Sequence, residues 1–230
     1  MLKRLTLALV LMLLALPAQA ADKPYITAAD LDLTAYLPLP IKAGTDADKA
    51  QMQAVLEAQK AASPERIALA KADGEESIYD MYTRTFGAGF KADALPNTTK
   101  MFARVGESED ATVDPAKPFF GRVRPWMANP EVKPYAKSSK SGAYPSGHTT
   151  RVTTVAIILT SIVPEKRDEI WTRAYEYAHS RVVGGMHYPE DLDAGYRAGS
   201  ALATAIMAHP DFKADYPTAK AELRSFFGLK

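Results

Sequence analysis

The sequence predicts an all-α protein folded as a compact helical bundle, on three observations. Apolar side chains recur at helical spacing through most of the chain beyond residue 45, no stretch alternates in the apolar–polar pattern of paired strands, and no unit repeats at a fixed period. Residues 45–230 suffice for one domain whose core needs no covalent staples, which matters because the chain contains no cysteine. That absence excludes disulfides, thiol catalysis and thiolate metal sites. Lys and Arg total 28 against 27 Asp and Glu, near neutrality with or without Lys3 and Arg4, so nothing global points to a nucleic-acid partner.

The elements follow in order. Residues 1–20 begin Met1-Leu2-Lys3-Arg4, continue through an uncharged apolar stretch from Leu5 to Leu16 and close on Ala18-Gln19-Ala20. This is the pattern of a secretory signal peptide cleaved after Ala20. The apolar stretch falls short of the ~20 residues of a spanning helix. A periplasmic or secreted location is therefore expected. Residues 21–44, with Tyr36-Leu37-Pro38-Leu39-Pro40, read as an extended arm over the body with little regular structure. Met52, Val55, Leu56 and Gln59 predict a helix over 46–60, and Ser63-Pro64-Glu65 supplies the cap, first-position proline and acid of a second helix reaching about Lys71.

The stretch 75–91 mixes aromatics with glycines and settles no element, while 97–113 allows a helix. Val152, Val155, Ala156, Leu159 and Ile162 predict a strongly apolar helix ending before Pro164. That proline starts the next, which runs through Tyr177 to Arg181 and breaks at Gly184-Gly185. Tyr188-Pro189-Glu190-Asp191 opens another helix to about Ala208, and a short one over 218–227 closes the chain. The longest uncharged apolar stretch after residue 20, Val152 to Val163, is too short to span a bilayer, so no stable membrane insertion is expected.

Three segments concentrate chemistry: 117–125, 144–149 and 180–191. Taken singly, Lys117, Arg122 and Arg124 can be a solvated charged face, and Pro145-Ser146-Gly147 can be a turn and helix cap. Together they supply what a phosphate dianion requires. Lys117 and Arg124, seven apart, share a face if that piece is helical. Arg181 adds a planar fork, Ser146 a hydroxyl, and the backbone around Gly147 a set of N–H groups at a helix start. The set holds no carboxylate cluster of the kind that binds a divalent ion, so neither metal nor cofactor is expected.

Of the four histidines, His187 has Asp191 four residues on, where a carboxylate can fix the ring tautomer and leave the far nitrogen to attack. His148 lies beside the presumed phosphate loop, where it can protonate a leaving oxygen. His179 and His209 lack such settings and read as surface or core residues. Residues 75–116 and 125–141 are the expected pocket walls, with Trp126, Tyr135 and Tyr144 as candidate aromatic contacts and packing the preferred reading for Trp126.

Lys117-x6-Arg124-Pro125, Pro145-Ser146-Gly147-His148 and Ser180-Arg181-x5-His187-x3-Asp191 together resemble the three-part signature of the type-2 phosphatidic acid phosphatase superfamily, which includes vanadium-dependent haloperoxidases. Gly142-Ala143-Tyr144-Pro145-Ser146-Gly147-His148-Thr149 and the early Tyr36-Leu37-Pro38-Leu39-Pro40 are similar to bacterial class A non-specific acid phosphatases. The resemblance implies a helical bundle without metal, phosphohistidine chemistry at His187, and phosphate contacts from Lys117, Arg124, Ser146, Gly147, His148 and Arg181. It implies small-molecule phosphate monoesters as substrates and inhibition by vanadate, and it allows a homo-oligomer; an acid optimum is expected from the two histidines, since His148 must be charged to donate while the attacking nitrogen of His187 must be free. The disulfides of some class A relatives do not carry over. Rival readings are a vanadium-dependent haloperoxidase and a non-catalytic periplasmic anion-binding protein; the second needs the basic cluster but not His148.

Overall fold

The computed structural model describes residues 23–136 and 139–230, so the signal-peptide reading of 1–20 lies outside the described residues. Among them there is no strand, and no helix is long and apolar enough to cross a membrane. The helices are α1 (Leu33–Tyr36), α2 (Asp46–Ala61), α3 (Pro64–Ala72), α4 (Ile78–Phe86), α5 (Pro96–Val113), α6 (Lys117–Phe120), α7 (Pro125–Ala128), α8 (Gly147–Ile162), α9 (Arg167–Val183), α10 (Pro189–Ala208) and α11 (Pro210–Phe226).

Local chemistry sets most of the starts. Thr45, Ser63, Ser77 and Ser146 each accept a backbone N–H of the first turn on the side-chain oxygen, and Pro64, Pro96, Pro189 and Pro210 stand where no intrahelical N–H is needed. The arm contains the single turn α1, capped by Asp32, and is tied down rather than draped. The Tyr25 N–H donates to Ser108 Oγ at 2.9 Å, the Tyr25 hydroxyl donates to Asp215 at 2.7 Å, and the Arg104 guanidinium lies 3.9 Å from the Tyr25 ring centre. Tyr25, Ile26, Leu33 and Leu37 are all buried.

Three boundaries differ from the sequence expectation. The unsettled stretch 75–91 contains α4, ended by Gly87 at φ 90°. Pro164 opens a short 3₁₀ turn and α9 starts at Arg167. The last helix begins at Pro210 instead of residue 218, because the His209 ring accepts the Asp211 N–H and Pro217 is accommodated inside the helix.

The core is organised around α8, which is buried on nearly all sides and packs against α9 and α10. α8 and α10 approach closely because α10 presents glycines to a threonine-rich face. A Cβ on Gly195 would stand 2.7 Å from Thr149 Cβ, and one on Gly199 would stand 2.6 Å from the Thr150 carbonyl oxygen and from Thr153 Cβ. Thr150, Thr153 and Thr154 return their hydroxyls to carbonyls one turn back, so these three meet the glycines with their hydroxyls paired. The Ser146 N–H also donates to the Asp191 carbonyl at 3.0 Å, which sets the first turns of the two helices side by side. Gly199→Ala is expected to lower stability by about 1–3 kcal/mol through overpacking, despite the ~1 kcal/mol that alanine gains in an unconstrained helix. A Tm reduced by roughly 3–10 °C in thermal unfolding would show it.

Candidate active site

Four parts of the chain meet over the start of α8: the turn 73–77 after α3, the end of α5 with α6, Arg124 with Ala136, Ser139 and Ser141, and the junction between α9 and α10. They enclose a cavity of about 430 Å³ whose walls include Lys117, Arg124, Gly147, His148, Arg181 and His187. The structure thus brings six of the eight sequence-predicted site residues to one cavity. Asp191 lies directly behind His187, and Ser146 is fully buried as the cap of α8. The Ser146 oxygen accepts the Thr149 N–H at 3.3 Å and the Thr149 hydroxyl at 3.0 Å, leaving its own proton uncommitted.

Lys117 and Arg124 do not share a helical face. Gly121, left-handed at φ 59°, ends α6 after one turn, and the two side chains converge because the chain reverses there. Arg122, between them, belongs to no solvated face: it is buried against the Tyr188 ring and paired with Asp48 at 2.7 Å and Glu190 at 3.0 Å, tying this loop to α2 and α10.

Arg124 is held by carbonyls. Its Nε donates to Ser141 O at 2.9 Å, Nη1 to Met186 O at 3.1 Å and Nη2 to Gly142 O at 3.2 Å. Nη1 also stands 3.1 Å from His187 Nε2. A guanidinium has only donors, so this contact requires a lone pair on Nε2 and places the ring proton on Nδ1. Burial, then Arg124 and Arg181, push the His187 pKa well below the usual histidine value, which keeps the ring neutral.

Asp191 Oδ2 lies 3.4 Å from His187 Nδ1, within ion-pair range but not aligned for a hydrogen bond, and it accepts the Tyr188 N–H at 2.8 Å. Burial raises the Asp191 pKa well above the usual carboxylate range. Arg181 reaches the cavity with Nε unpaired and only a 3.4 Å contact from Nη1 to Asp73 O. Burial and the neighbouring Arg181 hold Arg124 down to about 10. Two guanidiniums whose charge is disfavoured by burial make a site that an anion relieves.

Gly147 admits close neighbours: a Cβ there would stand 2.9 Å from Glu109 Oε1 and 3.6 Å from Lys117 Nζ. Lys117 itself pairs with Asp114 at 2.8 Å. His148 is engaged at both nitrogens, Nδ1 with Glu76 at 2.7 Å and Nε2 with the Gly74 carbonyl at 3.1 Å.

Sequence reasoning missed Glu76, Glu109 and Asp73. Glu109, almost fully buried, accepts Arg151 at 2.9 Å and is pushed up to about 8 by burial, with Arg151 pulling the other way. Asp73 accepts Ser180 Oγ and Arg173, fastening the 73–77 turn to α9. The only local signal was the acidic run Asp73-Gly74-Glu75-Glu76, which leads into the unsettled stretch. The aromatic candidates are not on the cavity wall: the Tyr144 hydroxyl donates to Pro38 O at 2.8 Å, Trp126 packs on the core, and Tyr135 lies near Lys71. Among the described residues no group of three or more His, Cys, Asp or Glu could hold a metal ion.

A helical bundle with a buried cationic pocket and two histidines at helix junctions defines the class, and the comparisons agree: residues 108–214 match the PAP2 superfamily. The chain resembles bacterial acid phosphatases. It is 31% identical over 150 residues to a non-specific acid phosphatase of Providencia stuartii, an alignment covering 63% of this chain and 60% of that protein. It is 29% identical over 195 residues to an acid phosphatase of Zymomonas mobilis, covering 82% and 74%. Among solved structures, a bacterial vanadium-dependent iodoperoxidase superposes with a TM-score of 0.55 at 17% identity, covering 74% of this chain and 51% of that one. A transmembrane PAP2-type phosphatidylglycerolphosphate phosphatase from Bacillus subtilis gives 0.52 at 17%, covering 80% and 92%. These likenesses show the fold.

Orthophosphate at about a hundred times its Kd is expected to stabilise the folded chain by about 2.7 kcal/mol, several degrees in Tm. Arg181→Met should lose most of that increment. An equal increment in both proteins would place the anion elsewhere.

Proposed function

We propose that the chain is an exported acid phosphatase that hydrolyses small-molecule phosphate monoesters through a phosphohistidine at His187, without a metal ion. The observation that carries the reading is the 3.1 Å contact between Arg124 Nη1 and His187 Nε2, which leaves a neutral imidazole with its lone pair in the wall of a cationic cavity. The similarity to acid phosphatases supports the reaction class, and the pattern of residues 1–20 supports export.

In this mechanism Arg124, Arg181, Lys117, the N–H groups at the start of α8 and the Ser146 hydroxyl take the phosphoryl oxygens. Arg124 turns its Nη1 from the ring to the anion, freeing the Nε2 lone pair. Nε2 attacks phosphorus, the P–O ester bond breaks with its electron pair on the leaving oxygen, and His148 supplies the proton that makes it an alcohol. The ring of His187, now carrying positive charge, is balanced by Asp191 behind Nδ1. Water then attacks phosphorus on the opposite side from Nε2, its proton passes to the neutral His148, and the P–N bond breaks with its electron pair returning to Nε2.

Two opposed protonation states are needed, His148 charged and His187 neutral, which gives a bell-shaped pH profile on the acid side of neutrality. Burial and Arg181 lower the His148 pKa, with Glu76 and the Gly74 carbonyl pulling against them, so the alkaline limb reports loss of the His148 proton. The acid limb reports protonation of His187. In hydrolysis of p-nitrophenyl phosphate at pH 5–7 with chelator present, turnover is expected in the unmodified protein and a loss of at least about 10³-fold in His187→Ala, with vanadate inhibiting. A well-folded protein without turnover, or a rate on an alkyl ester such as glycerol 2-phosphate that rises steadily from pH 5 to 9, would overturn the assignment. Halide oxidation after vanadate loading would point to the haloperoxidase reading instead.

A further inference from the structure

We infer that Glu76 is a positioning residue that orients the His148 ring and holds it as a proton donor, and thereby decides which leaving groups this site can expel. The inference rests on the phosphatase reading above. It starts from geometry: Glu76 Oε1 is 2.7 Å from His148 Nδ1, and the Gly74 carbonyl oxygen is 3.1 Å from Nε2. Both ring nitrogens face acceptors supplied by one five-residue turn, an arrangement that suits a ring with a proton on each. The turn is itself anchored. Asp73 accepts Ser180 Oγ and Arg173 from α9, the Tyr177 hydroxyl donates to the Glu75 carbonyl at 2.6 Å, and Ser77 caps α4.

The surroundings explain why a carboxylate is needed. From α9, Arg181 opposes charge on His148 and the Tyr177 ring stacks on it at 6.0 Å between centres. From α8 itself, Arg151 is committed to Glu109 and Asp110 on α5. Lys117 on α6 and His187 before α10 stand on the same cavity wall, and Lys117 is paired with Asp114. Of the acids lining this cavity, Glu75, Glu76, Glu109, Asp110 and Asp114, it is Glu76 that pairs with His148, whereas Glu109, Asp110 and Asp114 are each paired with a cation. Interaction with His148, Arg151 and Arg181 outweighs burial and holds the Glu76 pKa down to about 2, so its charge is present across the working range. When the leaving oxygen withdraws the Nε2 proton, the Gly74 carbonyl loses its donor, while the Glu76 bond at Nδ1 keeps the ring in plane for the returning water.

The consequence is a dependence on the leaving group. A nitrophenolate departs without help, whereas an alkoxide needs the proton in the transition state. Glu76→Gln is expected to reduce kcat/KM for p-nitrophenyl phosphate less than about 5-fold but for an alkyl ester such as glycerol 2-phosphate about 10²-fold, within the usual range for general acid catalysis. Removing the carboxylate favours the neutral ring, so the alkaline limb for the alkyl ester should move to lower pH. Glu76→Asp, which keeps the charge one methylene shorter, should recover part of the alkyl-ester rate. The histidine ring resonances, followed by NMR against pH, should show His148 titrating at lower pH in Glu76→Gln than in the unmodified protein, a readout that needs no turnover.

Equal losses on both esters with an unmoved alkaline limb would overturn the role of Glu76 and leave the phosphatase reading standing. Absence of turnover in the unmodified protein would overturn the phosphatase reading, and with it leaving-group selection. In that event an unmoved His148 titration in the variant would overturn the positioning role as well.

Discussion

The structure turns on the burial, against one another, of two guanidiniums and a neutral imidazole. Arg124 and Arg181 are each nearly inaccessible; burial and Arg181 disfavour the charge on Arg124, burial disfavours that on Arg181 against the pull of Tyr177, Glu76 and Asp73, and both guanidiniums help to keep His187 from accepting a proton. Such a set is costly in isolation, because desolvating a cation without a counter-charge takes several kcal/mol. What holds it is backbone: the carbonyls of Ser141, Gly142 and Met186 face Arg124, and the Asp73 carbonyl faces Arg181. Carbonyl dipoles fix direction without cancelling charge, so the field of the two cations remains directed into the cavity, where an anion completes it.

That arrangement depends on helix ends being placed to within a few tenths of an ångström, and the α8–α10 crossing does the placing. The glycine face of α10 lies against threonines of α8, and the Ser146 N–H meets the Asp191 carbonyl, so the first turn that carries His148 is locked to the first turn that follows His187. Arg181 enters from the last turn of α9, which packs on the same α8. The site is therefore built at the convergence of regular elements, with the loops contributing carbonyls and carboxylates to orient them.

This division explains what could be read from the sequence. Helix starts and the three motifs are local, carried by Ser63-Pro64, Tyr188-Pro189 or the Ser146-Gly147 step, and they were legible. The grouping of Lys117 with Arg124 was legible as chemistry but not as geometry, since a seven-residue spacing suggested a helical face and Gly121 reverses the chain instead. Arg122 looked like its two neighbours and is buried with Asp48 and Glu190, partners distant in sequence. Glu76 and Asp73 stood out only as part of an acidic run, because their significance lies in contacts with α8 and α9, about seventy and a hundred residues away, which no local pattern encodes. The start of α11 was missed because Pro217 reads as a break, although the residues after His209 already satisfy the helix.

The two histidines make the physical point sharpest, since each has a carboxylate beside it and the outcomes are opposite. Glu76 is partly exposed, ionised, and 2.7 Å from Nδ1 of His148; it can hold a proton on that ring. Asp191 is fully buried, is already engaged by the Tyr188 N–H, and stands 3.4 Å from Nδ1 of His187 without hydrogen-bond alignment, while the far nitrogen faces a guanidinium. In the proposed mechanism the pairing of histidine with acid is thus not what assigns donor and nucleophile. Solvent access of the acid, and the sign of the group facing the second ring nitrogen, do so: an acceptor at Nε2 of His148 favours a proton there, and a donor at Nε2 of His187 forbids one.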